Sequence, residues 1–135
     1  YSDRQITELI NREIPYNRNP PSIEISSRAF RSAFAKVESH VAKHCNTYFR
    51  SVLFALEKVM RKLQAGGIAA IFVGNATFSG VEFPFHQIFR EHLGSRGFTY
   101  ERLLVDRIKG RRLFRGRQNP SPNGISSEYL LVLKK

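Results

Sequence analysis

Apolar positions fall three and four residues apart in three stretches of this chain and gather into short strand-like runs in three others. Ile6, Leu9 and Ile10 follow Ser2 and Gln5, a capping-box pair, and predict a short helix over about residues 3–13. Residues 15–22, with Pro15, Asn19, Pro20, Pro21 and Ser22, read as a loop. Ser26 or Ser27 caps a largely helical stretch over 28–64. Its clearest stripe is Phe49, Val52, Leu53, Leu56, Val59, Met60 and Leu63, with Arg50, Glu57, Lys58, Arg61 and Lys62 mostly opposite. Asn46 or Thr47 is able to start a new helix, so a break is expected near 45–47, and Gly66-Gly67 stops the stretch.

Ile68-Ala69-Ala70-Ile71-Phe72-Val73 is an unbroken apolar run, read as a strand buried on both faces, as in a parallel sheet. Residues 74–81 form the loop at its carboxyl end. Pro84 suits the first turn of a helix whose stripe is Phe85, Ile88, Phe89 and Leu93, ended by Gly94 and Gly97. Strands follow at about Thr99–Ile108 and Glu128–Lys134. The order is that of an α/β chain. The strand–helix–strand part predicts a right-handed crossover in a parallel sheet, and the last two strands an antiparallel hairpin.

Charge sharpens this picture. The 135 residues carry 22 Lys and Arg against 11 Asp and Glu, a formal charge of +11, with a pI near 10.4. That balance points to polyanions. Apolar residues make up 41% of the chain, enough for a core, so wholesale disorder is not expected. No apolar run approaches the roughly 18 residues of a membrane span, and the N-terminus lacks the core of a signal peptide. The single cysteine, Cys45, allows no internal disulfide, which suits a reducing, cytoplasmic setting. The chain starts at Tyr1 and its one methionine is Met60, so a preceding N-terminal portion is expected.

The basic excess is concentrated. Arg107, Lys109, Arg111, Arg112, Arg115 and Arg117 fall within eleven residues that contain no acid, directly after Leu103-Leu104-Val105. Five of the six are Arg, whose planar guanidinium makes bidentate phosphate contacts. These six are the candidate nucleic-acid-binding residues. A second candidate is the segment after the apolar strand, because ligands of open α/β sheets bind beyond the carboxyl ends of strands. There Asn75 or Thr77 would shape an acceptor pocket and Phe78 would stack on a flipped base or pack inward. His40 and His44 share a helix face but lack further ligands for a metal. His86 and His92 carry no evident role.

Taken together, Leu63-Gln64-Ala65-Gly66-Gly67, the strand Ile68–Val73 and the Gly74-Asn75 that ends it resemble the L-x-x-G-G-x-strand-G-N segment of class I S-adenosylmethionine-dependent methyltransferases. The likeness is closest to the DNA amino-methyltransferases, the DNA-modification methylases. Phe85–Leu93 is similar to the helix that follows in that family, Gly97-Phe98 to the opening of its sixth strand, and Ser127–Lys134 to its last strand. The resemblance covers about residues 45–135. It implies a partial Rossmann-like sheet of the fifth to seventh strands in residues 46–135, preceded by a helical and loop segment, 1–45. It also implies S-adenosylmethionine as methyl donor, DNA as acceptor, and a catalytic motif upstream of Tyr1.

The chain departs from the family where that chemistry resides. It has no glycine-rich turn for the donor. In Asn19-Pro20-Pro21-Ser22, serine stands where the family has an aromatic residue. This chain alone is therefore expected to be inactive. Two other readings remain open, a noncatalytic basic nucleic-acid-binding module and a fragment of an RNA methyltransferase of the same fold. The half-domain reading adds a physical expectation. Strand 68–73 would keep one unpaired edge, filled by the missing N-terminal half or by self-association.

Overall fold

A computed structural model describes residues 2–12, 14, 19–108 and 127–135. Helix α1 spans Asp3–Arg12, α2 Arg28–Phe34 and α3 Ser39–Arg61. Strand β1 spans Ile68–Gly74, β2 Ala76–Phe78 and β3 Val81–Phe83. Helix α4 covers Phe85–Ser95, followed by strands β4, Thr99–Arg107, and β5, Ser127–Lys134. The chain is thus mixed α/β, with four helices and a small antiparallel sheet among the described residues.

Local chemistry accounts for the ends of these elements. The Ser2 amide donates to Gln5 Oε1 (2.8 Å) while the Gln5 amide donates to Ser2 Oγ (3.3 Å), the reciprocal pair expected at the start of α1. Ser27 caps α2 by accepting from the Phe30 amide at 2.9 Å. The break in the long helical stretch comes at residues 35–38, not at 45–47. Cys45 and Phe49 are buried on one side of α3 and Thr47 is buried on the other, and that burial outweighs the capping tendency of Asn46 and Thr47. After α3, a Cβ on Gly67 would lie 2.9 Å from the Gln64 carbonyl oxygen, so only glycine fits where the chain turns into β1.

Two expectations about strands are corrected. β1 pairs antiparallel with β5, and β5 pairs antiparallel with β4, giving the order β1-β5-β4. β1 and β4 therefore run in the same direction, joined through α4, but β5 lies between them and no parallel ladder forms. The last two strands do pair antiparallel, as expected. The second correction concerns burial. Ala69, Ile71 and Val73 pack toward the core, whereas Ile68 and Phe72 are 63% and 64% exposed. Cross-strand register places Phe72, Leu130 and Leu104 on this open face, with Ala70 and Val132 beside them. Among the described residues nothing covers it.

The segment after β1 is also more ordered than a loop. β2 and β3 form a hairpin in which Phe78 pairs with Val81. The two residues between them, Ser79 and Gly80, both have positive φ (48° and 75°), as a type I′ turn requires.

The core joins α2, α3, the hairpin and α4 through aromatic rings. Phe49, fully buried, has ring centroids of Phe30, Phe83 and Phe85 within 4.9–5.1 Å. Leu131 and Leu133 of β5 bring the sheet into the same core. Position 45/46, where the sequence suggests two segments, falls inside α3, and the buried Cys45 shares that core. Burial pushes its thiol up to about 12, so it stays protonated and unreactive.

A buried polar cluster fixes α4. Glu57 of α3, 7% exposed, accepts from His92 Nε2 (2.8 Å) and Arg96 Nε (3.0 Å) on one oxygen and from Arg61 Nη2 (3.3 Å) on the other. Because the Ser26 amide donates to His92 Nδ1 (3.1 Å), the imidazole is neutral, with its proton on Nε2. Glu91 accepts from Ser27 Oγ (2.7 Å) and from the Ala29 amide (2.9 Å).

Burial holds His92 below its ordinary value of 6.5, against a smaller upward pull from Glu57. The carboxyls of Glu57 and Glu91 also lie below their ordinary range: hydrogen bonds, and for Glu57 the neighbouring Arg96 and His92, outweigh a desolvation that by itself acts upward. As pH falls below about 6.5, the unfolded chain takes up a His92 proton that the fold refuses, so stability declines. The carboxylate contributions are then lost at more acidic pH, through their lowered folded values. His92→Gln, which retains a donor and an acceptor, should reduce the decline nearest neutrality, leaving the share of His86, whose pKa burial also lowers, and the acid limb. Urea unfolding of both proteins between pH 7 and pH 4 measures this.

Candidate nucleic-acid interface

The carboxyl ends of β1 and β4 and the start of β5 share one end of the sheet. Gly74 and Asp106 flank Glu128 in register, and Arg107 lies opposite Ser127. Two strand spacings, about 10 Å, separate β1 from β4. Arg107 is exposed at this end. Lys109, Arg111, Arg112, Arg115 and Arg117 lie outside the described residues.

Asn75 leaves β1 at the same end. Its Nδ2 donates to Glu82 Oε1 at 2.8 Å, and its Oδ1 lies 3.2 Å from His86 Nδ1. With the amide oriented by Glu82, His86 carries its proton on Nδ1 and donates to Asn75. The His86 ring stacks on Tyr129 of β5, with centroids 3.9 Å apart and planes 19° from parallel. Burial lowers the His86 pKa and the Glu82 carboxylate partly offsets this, so the ring is neutral near pH 7 and its Nε2 bears a lone pair. The arrangement offers a stacked, half-buried aromatic pair and a proton acceptor at the sheet end where the basic run begins.

The structure thus brings Asn75 and Arg107 to one end of the sheet. Thr77 is exposed on β2, opposite Glu82. The Phe78 ring packs 5.3 Å from Phe83, 5.9 Å from Tyr48 and 6.1 Å from Phe49, which commits much of its surface to the core. Glu82, His86 and Tyr129 carried no signal in the sequence beyond the placement of His86 just after Pro84, at the mouth of a helix following a strand. Their meeting depends on the hairpin and on β5.

Among the described residues no group of three or more His, Cys, Asp or Glu is arranged to hold a metal ion, and no helix is long and apolar enough to cross a membrane. His40 lies 3.3 Å from Glu38 at the start of α3. Comparison with family models, with curated proteins and with solved structures returned no match.

Among the described residues the Glu82 carboxylate is the charge that raises the His86 pKa, so Glu82→Gln should lower it further. A titration of the His86 ring followed by NMR reads this directly, and an unchanged midpoint would show that the Asn75–Glu82–His86 relay is not formed in solution.

Proposed function

We propose that this chain is the C-terminal, DNA-facing portion of an S-adenosylmethionine-dependent DNA methyltransferase of the amino-methylating type, acting in the cytoplasm. A preceding portion would bind the methyl donor and supply the catalytic motif. The observation that carries this reading is the placement of Asn75 and Arg107, the first residue of the basic run, at the carboxyl end of one sheet. A ligand is expected at that end in a sheet whose same-direction strands are joined through a helix. The succession strand, helix, strand and antiparallel final strand also accords with the order that the sequence resemblance implies.

In this arrangement the basic run would hold DNA phosphates. The segment Asn75–Phe78, with His86 and Tyr129 beside it, would line one wall of the acceptor pocket. S-adenosylmethionine would supply the methyl group. The residues described here would orient the acceptor base and exclude water, and the neutral His86 would be placed to accept a proton from the acceptor amine.

The longest product of the gene should transfer tritiated methyl groups from S-adenosylmethionine to duplex DNA, whereas this chain alone should transfer none. Acid-precipitable label in RNA instead would favour the RNA-methylating reading. No label in either polymer, with salt-sensitive DNA binding retained, would leave a noncatalytic binding module.

The open sheet bears on the preceding portion. The outer edge of β1 carries no strand among the described residues, and Ile68–Gly74 contains neither a charge nor a proline to guard it. Together with the open face of Ile68, Phe72 and Leu104, this edge is proposed as the seat of the N-terminal portion. By sedimentation, the chain alone should self-associate, and co-expression with the upstream segment should convert it to a one-to-one complex. A monomer that ignores the upstream segment would refute this.

A further inference from the structure

We infer that the outer edge of β4 is a self-recognition surface, and that its partner is the β4 edge of a second copy of this chain, paired antiparallel about Leu104. The inference does not rest on the DNA reading. It concerns the edge of the sheet opposite the one assigned to the N-terminal portion.

β4 is the last strand in the order β1-β5-β4, so its outer edge carries no strand among the described residues. Every residue from Thr99 to Arg107 is exposed except the half-buried Leu103, and Leu104 and Val105 keep 50% and 51% of their surface in water. The strand contains no proline, and its one irregularity, a bulge between Tyr100 and Arg102, lies near its start. Such an edge is a template for another strand unless charges guard it. β4 carries Glu101, Arg102, Asp106 and Arg107, and none of the four enters an ion pair among the described residues.

The order of these charges identifies the partner. Glu101-Arg102-Leu103-Leu104-Val105-Asp106-Arg107 is complementary to itself read in the opposite direction. With Leu104 opposite Leu104, Arg102 faces Asp106 and Leu103 faces Val105, each twice, because a two-fold axis passes between the leucines. Glu101 and Arg107 form an outermost pair beside the bulge, on which the ladder does not depend. Opposite charges directly across from one another stabilise antiparallel strands. Asp106 has the more to gain, since its neighbour on the β5 side is the like-charged Glu128. A slip of one residue sets Glu101 against Asp106 or Arg102 against Arg107, and a slip of two sets Arg102 or Asp106 against Leu104. The charges therefore guard every nearby register but one.

The surfaces on either side of the ladder also continue across the axis. On the open face Phe72, Leu130 and Leu104 form one row, which the pairing extends through the same three residues of the second copy. Helix α4 packs against β1, β5 and β4 and is thus centred on β5. The two α4 helices then stand three strand spacings apart, about 14 Å, more than the roughly 10 Å width of a helix. The three-stranded sheet is doubled into one antiparallel sheet with no clash between them.

The test follows the full chain by sedimentation velocity over a concentration series, unaltered, as R102D, as D106R, as an equimolar mixture of these two, and as the double variant R102D/D106R. Each single reversal sets like charges against each other at both pairs and should weaken association about tenfold or more. In the mixture the acidic edge of one variant meets the basic edge of the other, so association should return as heterodimers. The double variant exchanges the partners of each pair and should associate as the unaltered chain does. Single variants that associate as strongly as the unaltered chain overturn the inference and place self-association at another surface, such as the edge of β1. A mixture no heavier than its two components overturns it as well, and so does an unaltered chain that stays monomeric.

Discussion

The Glu57 carboxylate, buried between α3 and α4, is the constraint on which the rest of the architecture depends. A carboxylate withdrawn from water is tolerable only when its oxygens are satisfied, and Glu57 meets this with two donors from α4 and its C-cap and one from its own helix. Removing a single partner of such a set typically costs about 3–5 kcal/mol, because the remaining charge stays buried. The cluster therefore specifies one position for α4 along α3. His92 carries the constraint further, since its other nitrogen accepts the Ser26 amide and so ties the approach to α2 into the same set.

Helix α4 in turn positions everything at the carboxyl end of the sheet. It is the connection between β1 and β4, and its Phe85, Ile88, Phe89 and Leu93 are buried in the core. Its first turn presents His86 to Asn75 and Tyr129, while the turn that carries Glu91 and His92 anchors residues 26–29. One end of the helix is thus locked by charge and hydrogen bonding and the other meets the candidate site. The phenylalanine cluster around Phe49 reinforces this by wedging the hairpin, α2 and α4 against one face of α3.

The surfaces left over divide by chemistry. The side of the sheet away from α4 is apolar and continuous with the unpaired edge of β1, a combination suited to a polypeptide that extends the sheet and covers it. At the carboxyl end of the sheet the chemistry is different, with Arg107 exposed where the basic run of the sequence begins.

The helices were legible because their apolar residues repeat at helical spacing. Phe85, Ile88, Phe89 and Leu93 are buried as that spacing requires, and Ser2, Gln5 and Ser27 cap the helices as their hydrogen-bonding capacity allows. The three long strands were legible as short apolar runs. The Ser79-Gly80 turn was within reach as well, since a Ser-Gly pair signals a turn, but hairpin strands of three residues are too short to show a period. Which strands pair was not legible. An apolar run such as Ile68–Val73 reads the same whether its neighbour is parallel or antiparallel and whether one face or two are covered, because backbone hydrogen bonds carry no side-chain signature. The meetings of Glu57 with His92 and of Asn75 with His86 and Tyr129 were equally hidden, since they join residues on different elements. The sequence by itself determined the elements, their caps and the concentration of positive charge. Only the tertiary structure decided the strand order, the open face and the partners of each buried polar group, because those depend on contacts between segments distant along the chain.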